Sequence, residues 1–338
     1  MGNTFHCLIA LSWLFCQLIP NSAIATPQSF QGNTLSSTTT TFPIPFSRIR
    51  ADHEIIVTEY LNARISTFPS PEVGLPVGLF GSLGTGNHQF LNPIFTFIDK
   101  RGRYYVSDFG AGRIVRFLDL QGSGWQTLGS EGSNDFQFRS PFGMAMDSNQ
   151  RLYIADYHNH RIVRVDDMTG KNWVTLGSLG SEPLQFHRPS GIAIDSLDRI
   201  YVHDSSNARV VRIDDMKGTN WVSFGSYGKA ESNFDYFGFG IWIDKNDRIY
   251  IPDGENNRLV RFDDMTGYQW TELTGNGGQS LKSPTGVCVG ANQEIYISEA
   301  SSHRLTLVDD MVGSRWRTFG NLGYQAGEFN RPYSVFCR

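Results

Sequence analysis

The sequence is poor in the features that most often announce a function. Its 338 residues hold four cysteines, two of which, Cys7 and Cys16, sit in an apolar N-terminal run. A mature chain therefore keeps only Cys288 and Cys337, and its stability must come from a core rather than a framework of disulfides. Positive charge is not in excess: 29 Lys and Arg face 33 Asp and Glu, for a formal net charge of −4. No surplus draws the chain to phosphate backbones or anionic lipid, so nucleic acid is a poor partner. No N-x-[ST] sequon occurs, and nothing demands a glycosylating pathway. The apolar run from Cys7 to Pro20 is too short for a comfortable membrane span, and no span is expected in the mature chain.

That run, followed by Ala23-Ile24-Ala25, reads as a signal peptide over 1–25 cleaved after Ala25, although its start offers only the terminal amine and His6 as positive charge. Cys16 follows Phe15 rather than a small residue, which disfavours lipid attachment there. Residues 26–50 are Ser/Thr/Pro-rich without apolar periodicity and read as a flexible lead-in. The implied location is secreted or periplasmic.

What is present is repetition. Trp125, Trp173, Trp221, Trp270 and Trp316 are 48, 48, 49 and 46 residues apart, and each lies 12 positions after an arginine: Arg113, Arg161, Arg209, Arg258 and Arg304. Each arginine follows an acid by five: Asp108, Asp156, Asp204, Asp253 and Glu299. Four strand-like pieces fit one unit, such as GMAMD, RLYIAD, RIVRVDD and WVTLG, separated by Asp/Asn/Ser/Gly turns. Four strands per unit of this length make a propeller blade. Their apolar residues run on successive positions, which suits sheets buried on both faces.

Five units run from about 79 to 320, with blades near 79–129, 130–177, 178–225, 226–275 and 276–320. The chain then ends part-way through a repeat, at FNRPYSVFCR. The rest lies at 51–68, where Glu59 and Arg64 keep the spacing of five. Aligning Pro332 with Pro141 sets Arg338 on Asp147 and lets Ala51 to Glu59 take the places of Ser148 to Asp156 without a gap. The fold class that follows is all-β: a six-bladed β-propeller over 51–338, whose last blade pairs N- and C-terminal strands (321–338 plus 51–78).

The stretch GSLGSEPLQFHRPSGIAIDSLDRIYVHDSSNARVVRID resembles an NHL repeat, and Asn159-His160-Arg161-Ile162 falls where that family's name-giving tripeptide sits. Gly-x-x-Gly recurs at Gly81, Gly129, Gly177, Gly225, Gly275 and Gly320. Blade five departs most, with three residues lost before Leu281 and Gly290 and Glu299 in place of the usual Asp. Two enzyme classes share the implied architecture. Peptide-amidating lyases resemble NHL proteins but carry His where this chain has its arginine series. Six-bladed lactonases hold calcium with Asn, Asp and Glu at inner-strand positions that here are Ile94, Phe142, Ser190, Phe239, Thr285 and Tyr333. Neither residue set carries over, and no cofactor is implied.

Residues present in every blade are better explained by geometry than by chemistry. The acid–arginine pairs (Glu59–Arg64, Asp108–Arg113, Asp156–Arg161, Asp204–Arg209, Asp253–Arg258, Glu299–Arg304) read as bidentate structural ion pairs across the turn between second and third strands. The Gly-x-x-Gly pieces lack the Lys-Ser/Thr and helix of a phosphate loop and read as turns between blades. Asp166-Asp167, Asp214-Asp215, Asp263-Asp264 and Asp309-Asp310 suggest Ca²⁺, yet recur a blade apart on tight hairpins, where Asp and Gly are wanted for turning.

Residues that break the repeat are more informative. Tyr157, His158, His160, His187 and His203 fall in blades two and three and mark a candidate binding mouth, with His303 repeating the position of His160. A zinc site would draw on His160 and His203. Cys288 and Cys337 lie on inner strands of neighbouring blades but one register position apart, which favours two buried thiols over a disulfide. The reading is a monomeric binding platform for protein, peptide or glycan. Its alternative is a propeller lyase or hydrolase with a metal or histidine-based site at the mouth.

Overall fold

The structure is a computed structural model and describes residues 54–69, 76–236 and 238–338. The signal peptide and lead-in expected over 1–25 and 26–50, and residues 51–53 of the splice, lie outside the described residues. The rest folds into six four-stranded antiparallel sheets. Blade two shows why. Its strands Pro141–Met146, Leu152–Asp156, Arg161–Val165 and Val174–Leu176 run from the channel outwards, and every residue of Leu152–Asp156 is buried. A strand buried on both faces has no reason to alternate, which accounts for the continuous apolar runs. The neighbouring sheets supply the second cover.

The ring is closed by the chain's two ends. Pro332–Cys337 pairs antiparallel with Ile55–Glu59, which continues to Arg64–Phe68 and Gly78–Phe80. The backbone of Arg338 and Glu54 exchanges two hydrogen bonds (3.1 and 3.2 Å), and in the uninterrupted hairpin the N–H of Asp147 donates to the carbonyl of Arg151 at 3.1 Å. The side chains repeat the theme with signs exchanged. Asp147 holds Arg151 at 2.5 Å, and across the chain break Arg338 holds Glu54 at 2.7 Å. Two staples cross the same blade further out. Arg64 donates to the carbonyls of Tyr324, Gln325 and Glu328, and Asn62 to that of Gly323.

Antiparallel order gives the ring two unlike ends. Hairpins joining first to second strands and third to fourth strands lie at one, the hairpin end. Short 3₁₀ turns between second and third strands, such as Tyr157–Asn159, lie at the other with the connections between blades. This is the turn end. Each regular inner strand begins there with a β-bulge. In blade three Pro189 faces Asp204 and Gly191 faces His203, leaving Ser190 unpaired between them. Ile94, Thr285 and Tyr333 are skipped in the same way, and Phe142 lies in the corresponding break. A bulge re-aims the extra side chain, here towards the channel mouth. Glycine follows in several blades because the strands crowd: a Cβ on Gly143 would stand 2.7 Å from the carbonyl of Ser190 in the next blade.

Blades four and five are the irregular ones. The inner strand of blade four is reduced to Trp242–Ile243, and a small hairpin, Gly275–Asn276 with Gln279–Ser280, leads into blade five where residues were lost.

The two cysteines correct the expectation of free thiols. Cys288 and Cys337 are joined by a disulfide, with Cα atoms 5.9 Å apart. The register offset that argued against pairing is what permits it. When sheets pack face to face, the leading face of one meets the trailing face of the next, and these carry residues of opposite parity. Cys288 is the fifth residue of Pro284–Val289 and Cys337 the sixth of Pro332–Cys337.

Candidate functional site

The repeated acids and arginines build the turn end. Arg161 Nε donates to Asp156 Oδ2 at 2.7 Å while its Nη2 donates to the carbonyls of Asn134 and Gln137, in the connection entering the blade. Arg113 and Arg209 grip Asp108 and Asp204 with Nε at 3.0 and 2.8 Å and reach connection carbonyls in the same manner. Arg258 and Arg64 do so on Asp253 and Glu59. The expected bidentate fork is therefore corrected: only the Arg304–Glu299 pair is bidentate, both contacts at 2.9 Å. The other Asp oxygen serves the connection: Asp156 Oδ1 accepts from the backbone of Arg139 and Asp204 Oδ1 from that of His187. Burial pushes the carboxyls of Asp108, Asp156 and Asp204 up, against the pull of these donors.

The paired aspartates sit at the opposite, hairpin end. Asp167 Oδ1 accepts from the backbone and hydroxyl of Thr169, and Asp166 accepts from Asn172 at 2.6 Å. Asp214 and Asp215 repeat the arrangement with Asn220 and with Lys217 and Thr219. These are turn-forming contacts. Among the described residues no group of three or more His, Cys, Asp or Glu is placed to hold a metal ion.

The candidate mouth residues separate. His158, His160 and His187 share the turn end with Tyr157, partly buried; the rings of Tyr157 and His158 stand 4.8 Å apart and those of His160 and His187 5.5 Å. His203 does not join them. It is 0% exposed, on the second strand of blade three, with its ring against Phe234 and against the space left by Gly238. Its burial overturns the expectation of a mouth residue, and with it the His160–His203 metal pair. Neither imidazole nitrogen has a hydrogen-bond partner among the described residues. Burial pushes this imidazole down to about 4, against a smaller opposing effect of the Gly240 backbone.

His160 has a structural duty as well. The backbone N–H of Arg188 donates to its Nδ1 at 3.1 Å, and that of Arg331 donates to Nδ1 of His303 at 3.2 Å. At the same position of blade four Asn257 Oδ1 accepts from Ser283 at 2.8 Å. In three blades a side-chain acceptor thus latches the turn to the next blade. The accepting Nδ1 leaves the proton of a neutral His160 on Nε2, free to face the mouth.

Sequence reasoning missed the main feature of this end. Five aromatic rings form a closed collar around the channel: Tyr60–Phe109 6.5 Å, Phe109–Phe142 5.9 Å, Phe142–Phe239 5.2 Å, Phe239–Tyr333 5.7 Å and Tyr333–Tyr60 5.1 Å between centroids. Tyr157 joins it at 5.6 Å from Phe142, and His158 lies 6.0 Å from Phe109. The signal was in the sequence. The residue after the blade acid is aromatic in three consecutive blades, Tyr60, Phe109 and Tyr157, and small in the others, Ser205, Gly254 and Ala300.

Charge accompanies the rings. The Arg188 guanidinium lies 5.9 Å over Tyr157, and no carboxylate among the described residues is within ion-pair distance of it. Burial, then Arg188 and Arg139, hold His158 down to about 4; the same burial and cationic neighbours lower His160 and His187. At the hairpin end the channel widens instead into a cavity of about 260 Å³ lined chiefly by Phe97, Met144, Met146, Ile194, Trp242 and Ile243. Its rim acids are already engaged, Asp99 by Arg103 and Asp147 by Arg151.

The NHL repeat pattern matches residues 138–165 and 186–213, the cores of blades two and three. The other blades repeat their geometry. The chain is a six-bladed β-propeller that carries NHL repeats. No curated protein matches its sequence. Solved structures share the fold of the propeller at low identity. A virginiamycin B lyase from Staphylococcus aureus is 16% identical with a TM-score of 0.55, over 80% of this chain and 81% of that one. A chain of a nidogen/laminin complex is 18% identical with a TM-score of 0.60, over 84% and 98%. A protein of unknown function from Bacteroides caccae is 13% identical with a TM-score of 0.60, over 85% and 99%.

Proposed function

We propose that the turn end of this NHL propeller is a binding face, and that the protein is an exported, monomeric platform for a protein, peptide or glycan ligand. The observation that supports this is the collar: ring side chains outside the repeated scaffold gather at one mouth beside Arg139, Arg188 and the three imidazoles. Aromatic and arginine side chains are the groups that dominate binding energy at interfaces. The cavity at the hairpin end is chiefly apolar, and its rim acids Asp99 and Asp147 are spent on the hairpins, which leaves Lys100 as the charge on its lining. Among the described residues no helix is long and apolar enough to cross a membrane.

Peptide and glycan arrays probed with the wild-type protein and with Phe109→Ala and Tyr157→Ala test the reading. Ligands captured by the wild type should be lost from both variants at unchanged unfolding midpoint. Capture that survives both places the site elsewhere. Export is tested separately, by the mass of the mature protein, which should begin at Thr26.

A further inference from the structure

Resting on that reading of the turn end, we infer that the mouth selects a carboxylate-bearing ring: a ring face lies on the partly exposed Tyr157 and Phe109, backed by the buried Phe142, and the carboxylate lies between Arg188, Arg139 and the imidazole of His158. Two observations point the same way. The rings present a broad apolar shelf, and Tyr157 is already capped by a guanidinium 5.9 Å above it. A planar guanidinium beside an aromatic face suits a ligand that is flat on one side and anionic at its edge. The local charge is also unbalanced. Among the described residues Arg139 meets only the carboxylate of Glu131, at 4.0 Å with both side chains about 60% exposed, a contact worth little. The Asp156 carboxylate is filled by Arg161, Asn159 and the Arg139 backbone.

The groups acting on His158 are Arg188, Arg139 and His160, and those acting on His160 are His187, Arg188 and Arg139. Every one is cationic or becomes so. A bound carboxylate offsets that repulsion, so binding favours protonation of His158, whereas the Nδ1 of His160 is held as an acceptor by the Arg188 backbone, and affinity tightens as pH falls. Acidic pyranoses and aromatic acids share the required chemistry.

Titration calorimetry with trigalacturonate and with phenylacetate distinguishes the two sources, with neutral galactotriose and inorganic phosphate as controls. At least one carboxylate should bind, about tenfold more weakly to Arg188→Gln or Arg139→Gln and about tenfold more tightly at pH 5 than at pH 7. His158→Gln should flatten the pH response while the protein keeps its fold. Equal binding of galactotriose, lost in Phe109→Ala, would overturn the carboxylate but leave the binding face standing. Phosphate bound as well as either acid, or no binding of either acid at millimolar concentration, overturns the inference.

Discussion

An arginine that grips one carboxylate oxygen and two backbone carbonyls does a job that lysine cannot copy. In Arg161 the planar fork ties the second and third strands of blade two to the incoming connection. Arg161→Lys should cost about 1–3 kcal/mol in urea unfolding, since carbonyls that had partners lose them. Exposed Lys171→Ala should stay within about 0.5 kcal/mol; equal losses at both positions would show that the arginine is not structural. His203 makes a second prediction at this scale. The unfolded chain protonates this histidine below about pH 6.5, whereas the folded one resists until about 4. Its contribution is therefore complete above about pH 6.5 and is lost as pH falls through that window, by about 2 kcal/mol between pH 7 and pH 5. His158 acts in the same direction. His203→Ser, which copies Ser107 and Ser298 at the same strand position, should flatten the difference between denaturation curves at the two pH values. An unaltered difference would assign it to other groups.

At the scale of elements, what was legible in the sequence is what repeats. Strand number, the acid–arginine spacing and the turn chemistry all recur, so each copy supports the reading of the others, and Glu59–Arg64 revealed the closing blade from a single short segment. What was not legible depends on which face a residue takes after a bulge or across a blade boundary. Phe142, Phe239 and Tyr333 looked only like positions without a carboxylate, because nothing in one strand says that a bulge turns Phe142 and Tyr333, and the segment before a shortened strand turns Phe239, to a shared mouth. His203 broke the repeat, but it did so to fill the space beside Gly238 and not to reach solvent. The cysteines were misread for the same reason, since parity within a sheet reverses between sheets. Their disulfide joins blade five to the closing blade over 49 residues of sequence. Reduction, or Cys288→Ser with Cys337→Ser, should lower stability by about 2–4 kcal/mol. An unfolded sample that titrates two free thiols without reductant would refute the bond.

The whole molecule is a closed ring with chemically different ends. Closure rests on the strand from the C-terminal segment, on the Arg338–Glu54 pair and on Arg64 and Asn62, which reach about 260 residues along the chain. Deleting residues 329–338 opens the ring and exposes the free edge of Ile55–Glu59, so the entire domain should lose stability together, in one transition; an unchanged unfolding midpoint would contradict this. The ends differ because the repeat itself puts aspartates in the hairpins, while at the turn end the positions beside the repeated acid–arginine pairs vary and have collected aromatic rings and histidines. The central claim is that ligands meet the second of these ends. Hydrogen–deuterium exchange with a saturating array-selected ligand tests it most directly. Protection is predicted in the turns at 109–112 and 157–160 and in the connection at 186–189, with none at the hairpins 99–103 and 147–151; protection confined to those hairpins would contradict the account.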